Sequence, residues 1–280
     1  MSWLGVSNQV CEPSSRGEGI VGGTGRVVSD SSGRWLNVVF DLNGILCSTK
    51  PSWQSKGRRN ADKLVHSATL PFDIGPKLVW VRPGCVEFLS QLSSFATITV
   101  WSSMLKDTAQ KICDYLFGPL HLSTPIRVLG QGDCDRVPVR RDGPRTVYMK
   151  KEGSQKDIFL KTLSTHLFDK YDGQYTRENT LIIDDSPIKH MLNLKENVLL
   201  LPSWSHTDEN SARDRILLEK VLPYLSGLHR SSGRLAEYRS CNPELGRPMF
   251  YDDRETSSKY VAILKAITDW EARAARIRRS

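Results

Sequence analysis

No paired cysteines, no long apolar run and no repeat organise this sequence, and each absence removes a class of protein. Its six cysteines (Cys11, Cys47, Cys85, Cys113, Cys134 and Cys241) include no C-x-x-C spacing, so neither a zinc ribbon nor a thioredoxin-like redox site is encoded. Several sit inside apolar runs, where cysteine behaves as a small buried hydrophobe. A reducing compartment fits them better than a secreted fold stapled by disulfides. No apolar stretch approaches the ~20 residues of a membrane span. The leader from Met1 to Arg34 lacks the apolar core of a secretory signal, and its Glu12, Glu18 and Asp30 make a poor organellar transit peptide. The resulting expectation is an intracellular protein, nuclear or cytoplasmic rather than mitochondrial. There is also no P-loop and no internal repeat, which excludes the common nucleoside triphosphatases and solenoids.

What is present is an ordinary globular composition with surplus positive charge. The 280 residues are 39% hydrophobic and 25% charged, enough for one sizeable core. Lysine and arginine exceed aspartate and glutamate by 39 to 31, a net charge of +8, which favours anionic partners such as phosphorylated peptides or nucleic acid, the bland reading being a solvated basic surface. The basic residues Arg273, Arg276, Arg278 and Arg279 read as a solvated helix end, so direct nucleic-acid binding is not expected. Composition divides the chain into a disordered glycine- and serine-rich arm over residues 1–34, a main domain over 35–228 and a helical extension over 229–280.

The main domain is organised around Val38-Val39-Phe40-Asp41-Leu42-Asn43-Gly44, an apolar run that ends in an isolated acid and then a glycine. That pattern is a buried strand feeding a tight turn. A second such ending lies far downstream, where Thr180-Leu181-Ile182-Ile183 runs into Asp184-Asp185-Ser186-Pro187. Between them, Ala96 to Trp101 reads as a strand ending at Ser102, and Leu78 to Val81 as a short strand running into a helix. Helical spacing is expected through Phe159, Leu163 and Leu167, with Lys161 among them, and again from Ser211 to Leu228. Residues 48–76 read as a polar, basic insertion. Strands alternating with helices predict an α/β fold, with a mostly parallel sheet covered by helices on both faces and a small insertion. Acids at strand ends would then meet in the crevice outside the carboxyl edge, where such sheets bind ligands.

A carboxylate nucleophile can take a phosphoryl group from an ester and split one difficult hydrolysis into two steps. It needs a hard cation such as Mg²⁺ on oxygen ligands, a lysine, and a hydroxyl or backbone N–H for the phosphoryl oxygens. Asp41, Asp184, Asp185, Lys161 and Ser102 supply those types. The bland readings are a turn role for Asp41, a helix N-cap for Ser102 and a surface position for Lys161.

These segments resemble the FCP/SCP-type phosphatases of the haloacid dehalogenase superfamily, which act on phosphoserine in the RNA polymerase II C-terminal domain. The resemblance runs from about Leu36 to Leu228. It rests on Asp41-Leu42-Asn43-Gly44-Ile45-Leu46-Cys47 against the family's D-L-D-E-T-L-V, on Arg82-Pro83-Gly84-Cys85-Val86-Glu87-Phe88-Leu89 against R-P-G-x-x-E-F-L, and on Asp184-Asp185-Ser186-Pro187 against D-[DN]-S-P. It implies a haloacid-dehalogenase-like Rossmannoid fold and a Mg²⁺-dependent protein serine/threonine phosphatase working through an aspartyl-phosphate. By the same resemblance, Asp41 is the nucleophile. Asp41, Asp184, Asp185 and the Asn43 backbone carbonyl are the metal ligands, and Ser102 and Lys161 bind the phosphate, with Lys156 the other candidate lysine. The implied partner is a phosphorylated peptide or protein, the RNA polymerase II C-terminal domain among the possibilities.

One departure matters. Where the family has a general acid two residues after the nucleophile, this chain has Asn43. An amide orients but cannot exchange a proton in that role, and general acid–base help is worth ~10²–10⁴ in rate. The sequence therefore carries two expectations, a weakened phosphatase and a catalytically inactive binding protein. The mitochondrial inner-membrane presequence translocase receptor, which acts in protein import, is a relative of the second kind.

Overall fold

The protein is described from a computed structural model over residues 35–52, 70–120, 127–171, 173–231, 235–243 and 254–279. The expected N-terminal arm and most of the expected insertion lie outside these residues. In chain order the elements begin with β1 (Leu36–Phe40), β2 (Cys47–Pro51), β3 (Phe72–Ile74), β4 (Lys77–Val81), α1 (Cys85–Ser93), β5 (Ala96–Trp101), α2 (Lys106–Phe117) and β6 (Arg127–Leu129). They continue with β7 (Asp135–Arg136), β8 (Pro138–Asp142), β9 (Arg145–Tyr148), β10 (Phe159–Leu160), β11 (Thr180–Asp184), β12 (Val198–Leu200), α3 (Leu222–Arg230), α4 (Leu235–Cys241) and α5 (Arg254–Arg279).

The central sheet has five strands in the order β12-β11-β1-β5-β6, and each neighbouring pair is parallel. Its strands are apolar on both sides because each face packs on its own core. Leu36, Val38 and Phe40 enter one cluster with Leu181, Ile183, Ile98 and Val100. The alternating Val39 enters the other with Ile182, Trp101, Val198 and Leu200. Period-2 geometry sends successive side chains to opposite faces, and burial on both sides is the rule for parallel sheets. On the first face lie the buried sides of α1, α2 and α3, with Phe88, Ile112 and Leu225. The second face is closed by Leu163, Leu167, Tyr175 and Met191 and by Ile263 of α5. The α/β class expected from the sequence is therefore observed.

From β1 the chain builds outward through β5 to β6, then crosses back to place β11 on the opposite side of β1. The reversal falls between β1 and β11, so the crevice of the sheet opens at their carboxyl ends. Asp41 follows one of these strands directly and Asp184 ends the other.

Three local expectations are corrected. First, β4 does not join the central sheet; it pairs antiparallel with β2 and β3 in a separate three-stranded sheet. Second, the helical spacing around Lys161 does not make a helix there. Phe159 and Leu160 pair antiparallel with β7, the Lys161 N–H donates to the Lys189 carbonyl at 2.7 Å, and helical winding begins only at Ser164. Third, the helix expected from Ser211 is broken, because Asp214 is taken up by Arg82 and accepts the Ile216 N–H at 3.3 Å.

That Arg82 is a structural clamp. It is almost wholly buried, grips both Asp214 oxygens at 2.9 and 3.0 Å and donates to the Ile45 carbonyl at 3.1 Å. Gly84 follows because φ is +72° and a Cβ would come within 2.6 Å of Leu218 Cδ1. Arg82→Ala removes one partner of this pair, so urea unfolding should show a loss of roughly 2–4 kcal/mol, just below the range for fully buried pairs since Asp214 keeps 24% of its exposure. A loss under about 1 kcal/mol would reduce the clamp to a surface pair.

Candidate active site

Each acid is delivered by its strand. The Asp41 N–H donates to the Ile183 carbonyl at 2.9 Å, which continues the β1–β11 ladder to the last residue and fixes the direction of its side chain. The turn beyond is wound tightly, with Leu46 N–H and Cys47 N–H both donating to the Leu42 carbonyl at 2.9 and 3.0 Å. Gly44 sits in it at φ +89°, and a Cβ there would collide with the Asp185 carboxylate and Ser203 Oγ. Trp204 N–H donates to the Gly44 carbonyl at 2.8 Å, so the turn after β1 is pinned against the segment after β12. The glycine is required both by its left-handed backbone and by close approach to an acid.

At the crevice Asp41, Asp184 and Asp185 each offer an oxygen, and these atoms lie within 4.8 Å of one another. Hard carboxylate oxygens brought together in this way suit a divalent cation such as Mg²⁺. They are not bare. Lys161, fully buried, reaches Asp41 Oδ1 at 3.1 Å and Asp184 Oδ2 at 2.5 Å. Lys189 reaches Asp41 Oδ2 at 2.6 Å, Asp184 Oδ1 at 3.0 Å and Asp185 Oδ1 at 3.8 Å. Ser186 N–H adds a donor to Asp184 Oδ1 at 2.9 Å, Leu42 N–H one to Asp41 Oδ1 at 2.9 Å, and His190 Nε2 lies 3.0 Å from Asp184 Oδ2.

The electrostatics follow from this arrangement. Burial by itself would raise the Asp184 carboxyl, but the Lys161 and Lys189 ammoniums, aided by His190, hold it well below the usual carboxylate range. Asp185 is the reverse case. Burial, then the charge of Asp184, push its carboxyl up to about 6 against the pull of Lys189 and Ser203. Burial also lowers His190 despite Asp184. Its Nδ1 faces the Asn193 amide at 3.3 Å, which assigns the imidazole hydrogen to Nε2, facing Asp184.

The sequence-predicted residues divide. Asp41, Asp184, Asp185 and Lys161 converge. Lys156, the other candidate lysine, belongs to a separate turn, where its carbonyl accepts the Lys151 N–H at 2.8 Å and its own N–H donates to Ser154 Oγ at 3.1 Å. Ser102, buried at the end of β5, lies at the same sheet edge, and its Oγ accepts the Met104 N–H at 3.2 Å. It is not the N-cap of α2, a place taken by Leu105. Asn43 is exposed, and its Oδ1 accepts the Thr49 N–H at 2.9 Å and the Thr49 hydroxyl at 3.0 Å. Sequence reasoning missed Lys189 and His190. The available signal was a lysine four residues after Asp185, beyond a proline that starts a short turn (Pro187–His190), which returns the side chain over the strand end.

Asp41 and Asp184 thus stand at the topological switch of a five-stranded parallel sheet. Residues 36–234 match the model of the NLI interacting factor-like phosphatases, and the chain belongs to that family. No curated protein sequence matches it. Similar solved structures include two phosphatases. One is Fcp1, an essential RNA polymerase II CTD phosphatase, with 18% identity over 89% of this chain and a TM-score of 0.41. The other is a variant of the fission yeast RNA polymerase II CTD phosphatase Fcp1 bound to beryllium fluoride, with 19% identity over 88% of this chain and a TM-score of 0.39. This chain spans 66% of the length of each.

The raised Asp185 carboxyl makes a pH test possible. With a folded pKa of about 6 against the ordinary 3.8, the folded state holds a proton that the unfolded chain has released. The resulting stabilisation is complete below about pH 4 and lost as pH rises through about 6. In chelator, wild-type stability relative to Asp185→Asn should therefore fall by about 2 kcal/mol between pH 4.5 and 7. Parallel urea curves for the two proteins would show the raised pKa to be absent.

Proposed function

We propose that this chain is a slow phosphatase of phosphorylated serine or threonine in proteins, with Asp41 as the phosphoryl acceptor. The observation that carries the reading is the meeting of Asp41, Asp184 and a fully buried Lys161 at the sheet's topological switch. Asp41 comes from one strand, Asp184 from another, and the lysine from a third segment. In the first step an Asp41 oxygen bonds to phosphorus as the ester oxygen departs; in the second, water attacks the acyl phosphate, releasing inorganic phosphate and restoring the carboxylate. Lys161 steadies the transferring oxygens, and Ser102, at the neighbouring strand end, holds another. Asp41, Asp184, Asp185 and the Asn43 carbonyl would hold Mg²⁺, whose contribution when bound is to offset the charge of the phosphoryl oxygens.

Asn43 limits both steps. A serine or threonine alkoxide must leave with a proton, and the attacking water must lose one, and an amide serves neither need. Aryl phosphates, whose leaving groups need no proton, escape the first limit but not the second. The same observation favours a second reading, in which the site holds a phosphorylated peptide without turning it over. Phosphopeptides from the RNA polymerase II C-terminal domain belong in the first substrate panel, and a nuclear or cytoplasmic setting accords with that choice.

Hydrolysis of an aryl phosphate and a phosphopeptide panel, with Mg²⁺, separates the readings. For a slow phosphatase, Asp41→Asn abolishes a measurable wild-type rate and Asn43→Asp raises it by ~10²–10⁴. Activity present only in Asn43→Asp supports the binding protein. No hydrolysis by either protein sinks the phosphatase. Because Asn43-Gly44 is prone to deamidation, the mass of that peptide must be verified in each preparation.

A further inference from the structure

The geometry points to Lys189 as a built-in counter-ion that stands where a divalent cation would bind, so that this site is complete without metal and takes one up only weakly. The inference rests on the reading of Asp41, Asp184 and Asp185 as a cation site, and concerns a residue which that reading does not use. A carboxylate offers about four lone-pair positions. On Asp184 these are met by Ser186 N–H and Lys189 on Oδ1 and by Lys161 on Oδ2, with His190 Nε2 3.0 Å from the latter. Asp41 has its Oδ1 taken by Leu42 N–H and Lys161 and its Oδ2 by Lys189. Among the described residues, the one cation that touches all three acids is therefore Lys189, at 2.6, 3.0 and 3.8 Å.

Its backbone is fixed to keep it there. Lys189 N–H donates to the Ser186 carbonyl at 3.2 Å, and its carbonyl accepts the Lys161 N–H at 2.7 Å. The loop carrying Lys161 is tied in turn by Asn193, which donates to the Lys161 carbonyl at 2.7 Å and accepts the Leu163 N–H at 2.8 Å. The two lysines are thus held as one unit, but they differ in access. Lys161 is sealed, whereas the Lys189 side chain keeps 18% of its exposure and can swing toward water. An incoming Mg²⁺ must shed part of a tightly held water shell and displace this ammonium. An intramolecular ammonium competes at a high effective concentration.

Manganese binding followed by electron paramagnetic resonance and calorimetry, without substrate, tests this apart from any catalysis. Wild type should bind Mn²⁺ at least tenfold more weakly than Lys189→Met, and its melting temperature should be insensitive to chelator. Lys189→Met should melt lower in chelator and recover with Mn²⁺, while Lys189→Arg should bind as weakly as wild type. Equal or tighter binding by wild type overturns the inference. So does failure of both proteins to bind, which would leave no cation site for Lys189 to fill. If Lys189→Met does not fold, the wild type decides: micromolar Mn²⁺ affinity refutes the counter-ion role, and millimolar affinity with chelator-insensitive melting supports it. A phosphatase found inactive with this binding pattern intact would refute only the catalytic reading.

Discussion

The structure depends on one constraint: two carboxylates buried at adjacent strand ends must be neutralised. Asp184 is wholly inaccessible and Asp41 nearly so, and an unpaired ion in such a place costs several kcal/mol. Lys161 bridges them, and its position dictates much around it. β10 stops after two residues so that the chain can turn inward, Lys161 N–H binds Lys189, and Asn193 spans the gap. The departure from helical winding between Phe159 and Ser164 is thus a consequence of charge pairing, which overrides the apolar spacing of that segment.

The second organising feature is the turn after β1. Six residues after Asp41 the chain has already entered β2 in a different sheet, and what holds the two sheets together is a set of contacts from distant segments. Arg82 reaches Ile45, Trp204 reaches Gly44, and Ser48 Oγ meets His206 Nδ1 at 2.9 Å. His206 in turn stacks on Trp80 of β4 at 3.6 Å. The R-P-G signature accordingly serves the position of Asp41 through the turn that follows it, by way of the Arg82 contacts with Ile45 and Asp214.

Much of this was legible in the sequence for an identifiable reason. Val38, Val39 and Phe40, like Leu181 to Ile183, are apolar without alternation, which only a strand buried on both faces permits, and an acid at the end of such a run has few roles other than a site. The membership of β4 in a side sheet was hidden, because Leu78 to Val81 reads the same in either sheet. Lys189 and His190 were hidden for a different reason. Nothing in Ile188-Lys189-His190 distinguishes a solvated turn from one folded over an acid cluster; that depends on the Lys161 segment, far away in sequence, presenting an N–H to the Lys189 carbonyl. The anchoring of Asn43 by Thr49 was equally invisible, since it requires β2 to leave the turn at a particular angle.

Two features of this site bear on how its acids and Lys161 are to be understood. Asn43 removes a proton donor, and Lys189 adds a cation among the acids. With Lys161 and Lys189 charged, the three acids are opposed by two ammoniums, and the raised Asp185 carboxyl brings the cluster closer still to neutrality. Once charges balance in a buried network, each member becomes necessary to the others: deleting Asp41 or Asp184 leaves an ammonium in excess, and deleting Lys161 leaves Lys189 alone to face both carboxylates. Such a network resists substitution whether or not it transfers phosphate. The acids and Lys161 therefore serve the fold's electrostatic integrity as well as the site. Asn43, exposed and outside this charge network, is where a change of side chain tests the chemistry free of that burden.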